Sequence, residues 1–275
     1  MGQYRVDCQS MSRFQQQYPL KLRDACLIPV LERIILAHFG AEYPWPEQAR
    51  IEAFLCAFGY SQGAIRTALS RARAQGELIA LDSDGKRLGA GELMSRYTSL
   101  FLSEPFSPGD FSLLLFHFAS EQSKQRTRLK DMLAQFNYRM ITQNAYLRYG
   151  ARGEDIQAFL EAQGFAGHIY SFQLLPELPA RLVHELPEMY QLLNWAERLK
   201  QAKIDFGEYL AQPGTLQERY WRYLFARASF HANLLTAAPY LPDTYFPEVR
   251  LTQEIFTGLT SQAPGFATAY QACFV

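Results

Sequence analysis

Between Ser61 and Gln75 the chain carries three arginines, Arg66, Arg71 and Arg73, and no acidic residue. At helical spacing Ile65, Ala68, Leu69 and Ala72 share one side and must face a protein body. The opposite side then presents Gln62, Arg66, Thr67, Ser70, Arg71 and Arg73. Guanidinium groups pair with guanine edges and with phosphates, and short hydroxyl and amide groups fit the major groove. Lys86 and Arg87, directly after Ser83-Asp84-Gly85, suit contact with a nucleic-acid backbone. The chemistry these types and spacings offer is the reading of double-stranded DNA. The competing reading is a solvated positive helix face, and the neighbouring elements favour DNA over it.

A second cluster lies near the C-terminus: Arg219, Trp221, Arg222, Arg227 and His231, interleaved with Tyr220 and Tyr223. Arginine forks match phosphate oxygens and aromatic faces accept a ring, so the set could bind a ligand carrying both, such as an acyl coenzyme A. It equally fits a core of Tyr220, Tyr223 and Leu224 with the arginines solvated or at a dimer interface. Trp195 fits packing better than ligand contact.

Other reactive chemistry is sparse. The histidines His38, His117, His168, His184 and His231 show no metal-ligand spacing, and none neighbours a cysteine. Cys8, Cys26, Cys56 and Cys273 form no CxxC pair, which argues against a zinc ribbon or a disulfide framework. No nucleophile elbow, P-loop or dinucleotide fingerprint occurs. Glu154-Asp155 and Glu185/Glu188 sit in first turns of expected helices, where the helix dipole accounts for them. We therefore expect no metal, no cofactor and no enzymatic activity.

The elements that must position the first cluster can be read from periodicity and punctuation. Residues 25–40 form a helix that Gly40 stops, and Ile51, Phe54, Leu55 and Phe58 line a second helix ending at Gly59. Ser61 is the expected N-cap of the third helix, Gln62 to Gln75, which Gly76 closes. ELIAL then reads as a strand, SDG as a turn and KRL as a returning strand. Three helices followed by a hairpin describe a winged helix-turn-helix. Residues 92–104 suggest a connecting helix, bounded by Pro105, Pro108 and Gly109. Beyond it, FSLLLFHF is a strand, SEQSKQRTRLKDMLAQFN a helix, RMITQNAYLRY a strand or hairpin, EDIQAFLEAQG a helix and HIYSFQL a strand. That order is the ferredoxin-like split βαβ pattern. The fold class is α+β, with an N-terminal arm (1–24), a winged-helix domain (25–92), a linker helix (93–107), a ferredoxin-like central domain (108–175) and a C-terminal helical domain (176–275).

With those elements in place the sequence resembles the PaaX family, repressors of phenylacetic acid degradation operons. FGYSQGAIRTALSRARAQGELI looks like the family's winged-helix signature. SLLLFHF with SKQRTRLKDMLAQFNYRMITQNAYLR is similar to its central domain, and LLNWAERLKQAKIDFGEYL with ASFHANLLTAAPYLPDTYFPEV to its C-terminal domain. The resemblance spans about residues 27–250. It implies a homodimeric repressor that binds a palindromic operator and is released by an aryl-acyl coenzyme A effector. It carries the DNA role to Arg66, Thr67, Ser70 and Arg71. The chain departs from the family at Phe230-His231, Ala238-Pro239 and Val249. The alternative function is a nucleic-acid-processing enzyme built on the ferredoxin-like domain, for which the first strand end offers only His117 between Phe116 and Phe118.

Composition bounds these readings. The 275 residues balance 27 basic against 27 acidic side chains, and 48% are apolar, too many for a disordered chain. Neutrality excludes a polycationic nucleic-acid binder, yet it is an average over a basic third helix and acids elsewhere. The polar start MGQYRVDCQS, and the lack of a run near about 18 apolar residues, predict a cytoplasmic protein outside the membrane.

Overall fold

The computed structural model describes residues 8–38, 40, 43–95, 109–150, 153–173 and 178–275. Helices and small antiparallel sheets combine in an α+β fold. The chain divides into two compact units, one of residues 1–102, 204–233 and 255–275, the other of 103–203 and 234–254.

In the first unit α1 (Cys8–Gln17) is followed by α2 (Leu22–His38), α3 (Gln48–Ala57), α4 (Gln62–Ala74) and a two-stranded hairpin of β1 (Leu78–Ala80) and β2 (Leu88–Ala90). Apolar spacing buries Ile51, Phe54 and Leu55 of α3 and Ile65, Leu69 and Ala72 of α4. Gly59, at φ +85°, turns the chain between the two helices. The Ser61 hydroxyl accepts the Ala64 amide at 3.3 Å and starts α4. Gly76, at φ +72°, ends it, with the Glu77 amide donating back to the Ala72 carbonyl at 2.9 Å.

The returning strand lies two residues later than the pattern KRL suggests. The Asp82 carboxylate accepts the Lys86 amide at 2.6 Å and the Arg87 amide at 3.1 Å, which rounds the turn. Residues 86–88 meet the start of α3, where the Gln48 amide donates to the Lys86 carbonyl and the Leu88 amide to the Pro46 carbonyl. Pairing with β1 resumes at Ala80↔Leu88.

The same unit contains the end of α8 (Leu192–Ala211), α9 (Leu216–Phe230), the last part of α10 (Val249–Thr260), and α11 (Ala267–Phe274). Thr215 and Glu218 form a capping box at the start of α9. Most side chains of α9 from Tyr220 to Phe230 are buried, the mark of an interior helix. Phe225 stacks on Phe58 at 5.3 Å, and Trp221 and Phe274 meet Phe54 edge to face. Residues 176–275 therefore do not stay together as one domain: α9 and α11 share a core with the N-terminal helices, because a helix buried on nearly every side needs partners all round. The N-terminal segment is also more than an arm. Phe14 and Tyr18, one turn apart, are buried, and Phe14 stacks on Tyr209 at 4.1 Å.

In the second unit β3 (Phe111–Phe116), α5 (Ser123–Gln135), β4 (Arg139–Thr142), β5 (Ala145–Tyr149), α6 (Gly153–Leu160) and β6 (Ile169–Gln173) alternate strand, helix, strand, strand, helix, strand. They form one antiparallel sheet in the order β4-β5-β3-β6. RMITQNAYLRY is thus a hairpin, with a register shift between Met140 and Thr142. Leu129 and Leu133 of α5, and Ile156, Phe159 and Leu160 of α6, are buried. α7 (Ala180–Met189) and the start of α8 complete the unit together with residues 234–254. Residues 92–95 are helical, and the rest of the expected linker helix lies outside the described residues.

Candidate nucleic-acid interface

At about 100° per residue, the exposed side of α4 has a centre and two flanks. Gly63, Thr67, Ser70 and Ala74 occupy the centre, where small side chains allow close approach of another surface. Arg66 and Arg73 lie on one flank and Arg71 on the other. Gln62, Arg66, Thr67, Ser70 and Arg71 are all exposed.

The flank of Arg66 and Arg73 leans on α3. Arg66 Nε lies 3.5 Å from Glu52 Oε2, and its side chain stays 64% exposed, free enough to leave this ion pair. One turn earlier on α3, Gln48 donates to Glu52 at 2.7 Å and accepts from Arg73 Nη2 at 2.5 Å. Arg73 also donates to the Gly85 carbonyl at 3.3 Å, at the tip of the hairpin turn. Arg73, expected on the DNA-reading side, is instead a tie between α4, α3 and the hairpin. Thr67 donates to the Gly63 carbonyl at 2.9 Å, which commits its hydroxyl proton to the helix and leaves the oxygen as an acceptor.

On the hairpin, Lys86 and Arg87 are exposed. Lys86 Nζ pairs with Asp84 at 2.8 Å, so its charge is locally balanced. The side chain of Arg87 has no ion-pair partner among the described residues. Trp45, which sequence spacing did not single out, stands beside it. Arg33 lies 4.6 Å over the Trp45 ring, and Trp45, Leu81, Lys86 and Arg87 border a cavity of about 460 Å³. Only the fold places Trp45 next to residues about forty positions later.

The C-terminal cluster does not assemble as expected. Arg219 is exposed, whereas Trp221 and Arg222 are buried. Arg222 donates to the carbonyls of Gln212 at 2.6 Å and Pro213 at 3.1 Å, closing the loop before α9. Arg227 donates to Glu32 at 3.0 Å and to the Tyr223 hydroxyl at 2.7 Å. Burial pushes the Glu32 carboxyl up to about 7, against the pull of Arg227. Burial, helped by Arg227, lowers His231 to about 4, so its imidazole is neutral. Apart from Arg219, the charged groups are spent on internal partners, which a gathering of arginines in sequence does not disclose.

His117 follows β3 and is exposed; its amide donates to the His168 carbonyl at 2.9 Å. His168 stacks on Phe118 at 4.7 Å. Among the described residues no group of three or more His, Cys, Asp or Glu could hold a metal ion, and no helix is long and apolar enough to cross a membrane.

No protein-family model matches the chain, and no curated protein does. Among solved structures it is similar to the uncharacterized protein Rv0674 from Mycobacterium tuberculosis. The identity is 16%, the TM-score 0.46, and the match covers 86% of this chain and 97% of that one. A likeness of this degree to a protein without an assigned role supports no statement on function.

Proposed function

We propose that the chain is a DNA-binding transcriptional regulator, most simply a repressor. In this reading α2, α3 and α4 with the β1–β2 hairpin are a winged helix-turn-helix, α4 enters the major groove, and the hairpin rides on the backbone. The sheet of the second unit, by its element order and strand order, is read as ferredoxin-like. The single observation that carries the proposal is the outward side of α4: small residues along its centre, exposed Arg66 and Arg71 on its flanks, and no carboxylate in the helix. Thr67, Ser70 and Gln62 supply the short polar contacts, and Lys86 and Arg87 the phosphate contacts. Arg73 acts indirectly, by fixing the hairpin to the helix.

One small domain with a nearly balanced wing binds modestly, so the reading includes a homodimer that engages two half-sites of a palindromic operator. An aryl-acyl coenzyme A effector, proposed from the family resemblance, would act by preferring one of two dimer states. The test is fluorescence anisotropy of a labelled duplex from upstream of the protein's own gene, titrated with protein at several salt concentrations. The proposal expects log affinity to fall linearly with log salt, and tighter binding to this duplex than to a scrambled one. Absence of salt-dependent binding would overturn it.

A further inference from the structure

Within the second unit, the end of α5, the first residue of β4 and the turn between α7 and α8 border an open cavity of about 400 Å³. Arg139, Tyr190, Gln191, Trp195, Thr236 and Ala237 line it. Gln191, at φ +51°, makes the sharp turn that brings Tyr190 and Trp195 to the same space, and the Trp195 amide donates to its carbonyl at 3.0 Å. An apolar cavity of ~150 Å³ already accommodates benzene, so this one has room for a ring, a polar group and water.

The charge in this cavity is unbalanced. Arg139 donates to the Ala237 carbonyl and, at 3.4 Å, to the Tyr138 carbonyl. Two carbonyls leave most of its five donors available, and no carboxylate pairs with it among the described residues. Burial lowers its pKa, with only the Tyr190 phenol acting in the opposite sense. The neighbouring Arg148 is likewise held by carbonyls, of Phe136 and Gly150, and not by an acid. A half-buried guanidinium without a counter-anion is costly and is well matched to a planar anion. The Tyr190 ring lies 5.9 Å from Arg139, and Trp195 has Arg198 4.6 Å above its ring, so both aromatic walls sit next to cations.

We propose that this cavity binds a small aromatic carboxylate, its carboxylate on Arg139 and its ring against Tyr190 and Trp195. The site stands independently of the DNA reading, and its test contains no DNA. The full-length protein is titrated by calorimetry with 3-phenylpropanoate, its amide and butanoate. The acid is expected to bind, with the amide and the aliphatic acid weaker by at least about tenfold. Arg139→Gln abolishes the preference for acid over amide, and Arg139→Lys restores part of it. Because Arg139 also ties Ala237, Trp195→Leu serves as a second variant: it weakens 3-phenylpropanoate and leaves butanoate unchanged. Failure of 3-phenylpropanoate to bind up to about 10 mM, equal binding of acid and amide, or an unaltered affinity in Trp195→Leu would each overturn the proposal.

Discussion

Arg66, Arg71 and Arg73 are the same residue type within one helix, and their surroundings give them different work. Arg73 is held by Gln48 and Gly85, whereas Arg71 is exposed. Arg73→Ala should therefore lower stability by about 1–2 kcal/mol, read as a fall in midpoint in urea denaturation, while Arg71→Ala should stay within about 0.5 kcal/mol of the parent. Equal effects would contradict the assignment. The buried Glu32 makes a pH prediction. Its carboxyl titrates near 7 in the folded chain and near the ordinary carboxylate range when unfolded, so the folded state binds the extra proton between those values. The stability it contributes is complete at low pH and is lost as pH rises through about 7. Glu32→Gln, which never ionises, should thus gain on the parent by up to about 3 kcal/mol as pH rises from 4.5 to 7. His231 has the opposite sign: its lowered pKa makes the folded state lose stability as pH falls from 6.5 towards 4. Denaturation midpoints of the parent, Glu32→Gln and His231→Gln across that range separate the two.

At the scale of elements, local punctuation makes α4 legible in the sequence. Ser61 caps it, Gly59 and Gly76 take the left-handed conformations that bound it, and Ile65, Leu69 and Ala72 face inward as their spacing requires. Ser61→Ala should cost about 1 kcal/mol and should weaken DNA binding, because the first turn of α4 carries Gln62; an anisotropy titration at fixed salt checks it. The β2 boundary is not legible there, since it depends on backbone bonds that the Lys86 carbonyl and the Leu88 amide make to Gln48 and Pro46, about forty residues earlier in the chain. The same long-range effect hides the role of Arg73, whose partner Gln48 lies on another helix. Nor can the interleaved arginines and aromatics of α9 declare whether they face a ligand or a core. Burial decides it, with Arg222 and Arg227 turned to Gln212, Pro213 and Glu32.

At the scale of the whole molecule, the chain returns twice to complete its N-terminal unit. Phe14, Phe206, Tyr209 and Phe225, far apart in sequence, pack their rings together, and Phe54 meets Trp221 and Phe274. Phe14→Ala should cost about 3–5 kcal/mol, measured by chemical denaturation, although sequence alone suggests no more than a loosely attached arm there. The element order of the second unit is readable because each strand and helix is short, punctuated and locally patterned. The division of residues 176–275 between two units is not, because helical periodicity does not say which core a helix joins. Balanced overall charge also takes on a specific meaning in the proposed DNA reading: acids such as Glu52 and Asp84 sit beside basic groups of the N-terminal unit, which would restrain non-specific attraction and leave discrimination to a few side chains. The most direct measurement of that account is a gel-shift titration of the Arg66→Ala, Arg71→Ala double variant on the protein's own upstream DNA. Loss of roughly 1–3 kcal/mol of binding per base-reading arginine, with unchanged folding, is the predicted result; an affinity equal to the parent's would contradict it.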